Sequence, residues 1–319
     1  MTVTVITRPE VIPMHVLVTG ASGWIGSALV PELLAGGHRV TGLARSGASA
    51  AALTDAGADV LCGSLDDLDT LRQGARDSDG VVHLAFRHDL AFSGAMTEAA
   101  LADRAVVDAL GEALAGTGKP LVIASGLLGV SPGRPATETD GLVAERTGSG
   151  LLDHRQETAR ATVALADRGV RSVVVRLSPT VHGAGDPPGA FISTLAATAR
   201  ERGVSRYVDD GAARWPAVHR DDAARLFRLA VESAPAGSVL HAAAEEGVAT
   251  RDIAAALGEQ LGVPVVPVPA ADAPEALGWL APMLGLDSPA SSARTRELTG
   301  WAPTGPTLLE DVRAGHYTR

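Results

Sequence analysis

Residues 19–26 read TGASGWIG and sit at the junction of the apolar run HVLVTG, 15–20, and the amphipathic stretch WIGSALVPELLAGG, 24–37. The run is short, rich in Val and Leu and bounded by Gly, so it reads as a buried strand; the stretch after it spaces its apolar residues at helical intervals. Between them stand glycines at 20, 23 and 26. Such glycines permit a tight turn, a close backbone approach and close helix packing, while the first N–H groups of the helix lie open to an anion. A pyrophosphate fits that arrangement, so the loop is read as a dinucleotide cradle formed by Gly20, Ser22, Gly23, Trp24, Ile25 and Gly26.

The alternation continues outward from the loop. HRVTGLA, a helix near 48–56, DVLCGSL and GVVHLAF come next, followed by a longer helix from about Thr97 to Ala115. PLVIASG, a helix from about Arg155 to Asp167 and VRSVVVRLS complete the series, giving six strands before Ser178. Strands alternating with helices predict an α/β fold of the Rossmann type, a doubly wound parallel sheet covered on both faces, with a smaller C-terminal substrate-binding region. The rhythm breaks at PTVHGAGDPPG, 179–189, a Gly/Pro-dense loop. The expected division is an arm at 1–13, a nucleotide-binding domain at 14–180 and a mainly substrate-binding region at 181–319. The arm carries an early Arg and Pro and no long apolar core, so it does not read as a signal peptide; it reads as a short extension or as translation upstream of Met14.

The end of the second strand distinguishes the dinucleotides. NAD sites commonly place an acidic residue there for the ribose 2′-hydroxyl, whereas this chain has Ala44, Arg45 and Ser46. A guanidinium pairs with a 2′-phosphate that an acid would repel, so the expected cofactor is NADPH, with Arg45 and Ser46 at its phosphate.

These motifs, in this order, resemble those of the extended short-chain dehydrogenases/reductases over nearly the whole chain. TGASGWIG is similar to that family's TGxxGxxG, GSLDDL to its GDLxD, VVHLAF to its VxHLAA, and RLSPTVHGAGD to its RxxxxVYGxGD. WPAVHRDDAARLFRLAV resembles a further family segment. The resemblance implies that Ser64 and Leu65 lie near the adenine, with Ser64 in place of the usual Asp. It also implies that Leu84, Ala85 and Phe86 lie near the ribose and pyrophosphate, and Pro179, Thr180 and Val181 beside the nicotinamide.

The same resemblance implies a serine that polarises the substrate carbonyl, a tyrosine that protonates it and a lysine four residues on. Ser125 in VIASGLLG matches the serine. The other two are missing: counting back from ALADRGV puts Leu151 at the tyrosine position and Arg155 at the lysine position, with His154 between them. The chain has two tyrosines, Tyr207 and Tyr317, and one lysine, Lys119, so it contains no Tyr-x-x-x-Lys at all. Arg155 is expected to hold the ribose as the lysine would, but a guanidinium cannot relay a proton near neutrality. His154 is the candidate side-chain acid, Ser125 the candidate carbonyl donor, and His182 is expected to pack beside the cofactor. Asp153 reads as a surface residue, and Asp221 and Asp222 as carboxylates at a helix start.

Loss of a general acid costs about 10²- to 10⁴-fold, which an activated ketone can tolerate. The activity expected is therefore NADPH-dependent reduction of an aromatic ketone that carries its own neighbouring hydroxyl, of the angucyclinone-like polyketide type found in antibiotic biosynthesis. A nucleotide-sugar epimerase or dehydratase, and a noncatalytic NADP-sensing regulator, are the alternatives. A formal charge of -10 disfavours a nucleic-acid partner, and the sequence has no apolar run long enough to span a bilayer. One cysteine, Cys62, and no zinc-spaced cluster point to a metal-free cytoplasmic protein.

Overall fold

The computed structural model describes residues 12–92, 94–142 and 150–318, so the arm expected at 1–13 lies almost wholly outside the described residues. The first six strands are β1 (His15–Thr19), β2 (Arg39–Ala44), β3 (Asp59–Cys62), β4 (Gly80–His83), β5 (Pro120–Gly126) and β6 (Arg171–Leu177). The next six are β7 (Thr180–His182), β8 (Ser205–Val208), β9 (Arg214–His219), β10 (Ser238–Ala242), β11 (Glu245–Ala249) and β12 (Val265–Val268). The main sheet has seven parallel strands in the order β3-β2-β1-β4-β5-β6-β10. Order reverses on either side of β1, which opens a crevice at the carboxyl ends of β1 and β4, where α/β sheets bind ligands.

Helices cover both faces, as the nearly continuous Val/Leu runs of the strands require. The principal ones are α1 (Gly26–Ala35), α2 (Gly47–Asp55), α3 (Leu68–Asp77), α4 (His88–Phe92), α5 (Met96–Leu114) and α6 (Gly150–Ala164). They are followed by α7 (Phe191–Arg202), α8 (Arg220–Ser233) and α9 (Thr250–Leu261). One face packs Leu29 and Leu33 of α1 and Phe227 and Val231 of α8 against Val16, Val18 and Val173 of the sheet. The opposite face packs Val107 and Leu110 of α5 and Ala159 of α6 against Leu17, Ile123 and Val174. Polar ties reinforce the first layer: Arg228 donates to Glu32 at 2.8 Å, and the ring of His38 meets Glu232 at 3.0 Å.

β10, from the far side of the Gly/Pro loop, forms the outer strand of the main sheet beside β6. The remaining strands form a β11-β9-β7 sheet and a β12-β8 pair. Around them α7, α9 and the segments 273–284 and 308–313 enclose a second core that contains Trp215, Ile253, Leu280 and Leu308. The C-terminal segments thus contribute both to the main sheet, through β10, and to a separate core of their own.

Candidate active site

β1 ends at Thr19, and Gly20 turns the chain with φ +68, a conformation that favours glycine. A Cβ at Gly20 would stand 2.7 Å from the Ala85 nitrogen, and one at Gly26 would stand 2.1 Å from the Gly20 oxygen. The loop therefore needs glycine at both positions, the first to lie against β4 and the second to start α1 beneath the turn. α1 has neither a side-chain cap nor an acidic residue in its first turn, so no side chain competes with an anion there, although Ser27 and Ala28 already donate to the Gly23 and Ile25 carbonyls at 2.9 and 3.1 Å. Ser22 and Gly23 are exposed at the tip, and Ile25 packs down onto the core. Trp24 donates from Nε1 to the Val181 carbonyl at 2.9 Å and lies 4.3 Å below the Arg220 guanidinium, which ties the loop to β7 and α8. This geometry fits a dinucleotide pyrophosphate.

At the end of β2, Ala44 is buried and Arg45 is exposed, its side chain without a polar partner among the described residues. Ser46 is engaged as the N-cap of α2, accepting from the Ser49 nitrogen at 3.2 Å. Ser64 caps its own turn by accepting from Asp66 N at 3.2 Å, and Leu65 packs onto the core beneath α3. Leu84, Ala85 and Phe86 leave β4 half-buried beside the glycine loop. Thr180 donates to the Pro216 carbonyl at 2.7 Å, which fixes β7 and with it Pro179 and Val181. The sheet topology sets the residues expected at the cofactor near the carboxyl ends of its parallel strands.

Ser125 lies at the end of β5, 3% exposed, and its Oγ is buried with no hydrogen-bond partner. Leaving a buried hydroxyl unpaired costs roughly 1–3 kcal/mol, so the position suits a ligand oxygen. Arg155, one turn into α6, donates from Nη2 to the Ala124 carbonyl at 3.3 Å and stacks 4.5 Å over the Phe86 ring. The guanidinium is thereby held beside the backbone of Ser125. His154 points to Glu157, 3.4 Å from its carboxylate on the partly exposed side of α6. The side chain of Leu151 lies outside the described residues.

Of the three acidic residues read from the sequence, Asp153 departs from its reading, whereas Asp221 and Asp222 stand at a helix start as expected. Asp153 is 6% exposed, so it is not a surface residue. Asp221 and Asp222 do start α8, but Asp222 is buried and accepts from Thr304 N at 3.0 Å and Gly305 N at 2.8 Å, which clamps the 302–305 turn to the helix. His182 is buried and paired with Asp311 at 2.6 Å. That contact spans 129 residues, and no local pattern announces it.

Sequence reasoning passed over His83 and Asp103, which are buried behind Arg155. A signal for Asp103 existed, because it falls on the apolar stripe of α5 with Ala99, Ala100, Val106, Val107 and Leu110. A charge in that stripe must have a partner. Sequence reasoning also passed over an aromatic rim in the C-terminal core, where Phe191 packs edge-to-face on Trp215 at 5.3 Å and on Trp279 at 5.5 Å. Leu128, three residues beyond Ser125, packs against the same core. In the loop after β7, burial raises the Asp186 carboxyl to about 7, against a hydrogen bond from Tyr317 that lowers it.

With the site in place, comparison with known proteins decides its kinship. Residues 16–245 match the model of the NAD dependent epimerase/dehydratase family. The chain belongs to that family. An uncharacterised protein of Schizosaccharomyces pombe is 43% identical over 305 residues, 95% of this chain and 100% of its own length. The 2′-dehydrokanamycin reductase of Streptomyces kanamyceticus is 31% identical over 272 residues, 82% of this chain and 70% of that protein. Among solved structures, dTDP-glucose 4,6-dehydratase of Streptomyces venezuelae, with NAD bound, superposes with a TM-score of 0.74 at 20% identity, covering 95% of this chain and 96% of the other. Family members use nicotinamide cofactors, and this epimerase/dehydratase-family chain is an NAD(P)-dependent enzyme. Among the described residues, no helix is long and apolar enough to cross a membrane.

Proposed function

We propose that this family member is an NADPH-dependent ketone reductase whose substrate brings its own hydrogen-bond donor to the carbonyl. The observation that carries the reading is Ser125, a buried hydroxyl with no partner at the crevice end of β5, beside a guanidinium at the position where its family places lysine. When bound, NADPH supplies the hydride that reduces the carbonyl carbon. Ser125 donates a hydrogen bond to the carbonyl oxygen. Arg155 holds the ribose and adds a fixed positive charge nearby, while the substrate's own hydroxyl is the donor to the developing alkoxide, a role worth about 3–4 kcal/mol. Arg45, exposed and without a polar partner, binds the 2′-phosphate.

No tyrosine stands four residues before a lysine anywhere in the chain, which weighs against sugar epimerisation, where a base must take a hydroxyl proton. It weighs less against reduction of a ketone whose adjacent phenol stabilises the alkoxide and supplies the proton. Hydroxyaryl ketones of the angucyclinone-like polyketide type meet that requirement. A relative named as a reductase supports the reaction class. A full-length relative in fission yeast favours a substrate class wider than one bacterial polyketide.

A screen of hydroxyaryl ketones that follows NADPH absorbance tests the reading. Turnover with NADPH and little with NADH is expected. Interconversion of nucleotide sugars without net NADPH consumption would establish the epimerase alternative, and tight NADPH binding without turnover of any ketone would establish the sensor.

A further inference from the structure

Asp103 is a carboxylate buried to 5% exposure in the apolar stripe of α5, and it holds two partners at once. Its Oδ1 lies 3.2 Å from His83 Nε2, and its Oδ2 lies 3.5 Å from Arg155 Nη1. On the other side of the imidazole, His83 Nδ1 lies 2.6 Å from Thr19 Oγ1, and that oxygen also accepts from the Ala85 nitrogen at 3.3 Å. The donor directions follow from the chemistry. A carboxylate only accepts, so His83 donates from Nε2, and a neutral ring then accepts at Nδ1 from the Thr19 hydroxyl. That leaves the Thr19 oxygen free to accept from Ala85 N–H, the group that a Cβ on Gly20 would strike at 2.7 Å. One buried charge thus orients a continuous chain from the start of the glycine loop to α6.

We propose that Asp103 is a positioning residue that aims Arg155 at the cofactor and couples that aim to the glycine loop through His83 and Thr19. The inference rests on the reading of Arg155 as a cofactor-binding residue. Arginine needs such help where lysine would not. Its planar fork must be fixed in orientation as well as in place, and Asp103, the Ala124 carbonyl and the Phe86 face supply three separate constraints. The carboxylate also compensates the guanidinium, which is only 21% exposed. Asp103 touches neither substrate nor cofactor in this account, and acts through its partner.

The test is a double-mutant cycle read by calorimetric titration of the full-length chain with NADPH, which needs no turnover. Asp103→Asn keeps the shape and removes the charge, and it should weaken NADPH about tenfold, within the range of coupling between residues in direct contact. Arg155→Gln should weaken it at least as much, and the double variant should bind no worse than Arg155→Gln alone, because the two act as a unit. A purely structural role for Asp103 would instead give additive losses. Asp103→Glu, which keeps the charge on a longer arm, should recover part of the affinity. If the Asn variant does not fold, Asp103→Ala takes its place in the cycle: it should weaken NADPH in the wild-type background and add nothing in Arg155→Gln, and equal losses in both backgrounds would overturn the proposal. Wild-type affinity in Asp103→Asn, or additivity in the cycle, overturns the inference while leaving the reductase reading intact. A wild-type chain that binds neither NADPH nor NADH overturns both.

Discussion

Replacing Gly26 by alanine should dismantle the cofactor cradle while leaving the sheet folded. The added Cβ would lie 2.1 Å from the Gly20 oxygen and 2.7 Å from both Ala21 C and Cα, all of them backbone atoms that cannot rotate away. An ordinary carbon–oxygen contact needs about 3.3 Å, so the Gly20 carbonyl must retreat by about 1.2 Å, and Gly20 is already pressed against Ala85. Forcing a methyl into such a contact costs about 1–3 kcal/mol of stability, roughly 2–4 °C in melting temperature per kcal/mol for a chain somewhat smaller than this one. The effect on binding should be larger, because a displacement of about 1 Å in a positioned site costs roughly a hundredfold. Gly23→Ala separates folding from binding: its Cβ would meet only the Gly20 oxygen, at 3.1 Å, so it should barely change the melting temperature while still obstructing the close approach of the pyrophosphate. Calorimetric titration with NADPH and thermal melts of both variants measure the two effects. If Gly26→Ala binds NADPH as the wild type does, or if Gly23→Ala lowers the melting temperature more than Gly26→Ala, the loop is not built as described.

Three other outcomes follow from the same geometry. Arg45→Ala should bring NADPH affinity down to that of NADH, a loss of about 10- to 100-fold, and titration with each dinucleotide shows whether the preference resides there. Ser125→Ala and His154→Gln should each lower the single-turnover rate by about tenfold or less, far short of the loss of an obligatory acid, as stopped-flow measurements will reveal. The Asp186 carboxyl, raised by burial to about 7 from the 3.8 of an unperturbed aspartate, keeps a proton in the folded chain that the unfolded chain releases. Stability should therefore fall as pH rises from about 4 to about 7. Asp186→Asn should flatten that slope and gain about 2 kcal/mol at pH 8 in denaturant titrations; an unchanged slope would show that Asp186 is not held protonated.

The nucleotide-binding half was legible because its determinants are local. TGASGWIG joins strand to helix within eight residues, and the Val/Leu runs around it have the period of buried parallel strands. Helix positions were legible to within a few residues, as the stretch expected from Thr97 to Ala115 and found at Met96–Leu114 illustrates. Local patterns do not reach the contacts that aim side chains. Asp103 meets His83 across 20 residues, and Asp311 meets His182 across 129. In the first case the apolar stripe of α5 held a detectable anomaly; in the second, HGAGD and LLEDVR carry no sign of each other. The burial of Asp153 has the same origin, since its helix alone cannot tell which face the sheet will cover.

The proposed chemistry stands or falls on who donates the proton. Single-turnover oxidation of bound NADPH should be followed with a hydroxyaryl ketone and with the same ketone methylated at the neighbouring hydroxyl, in the wild type and in His154→Ala. Substrate assistance predicts that methylation suppresses the rate by about a hundredfold or more while His154→Ala changes it little. Unimpaired reduction of the methylated ketone, together with abolished turnover in His154→Ala, would show that the protein has a conventional side-chain acid.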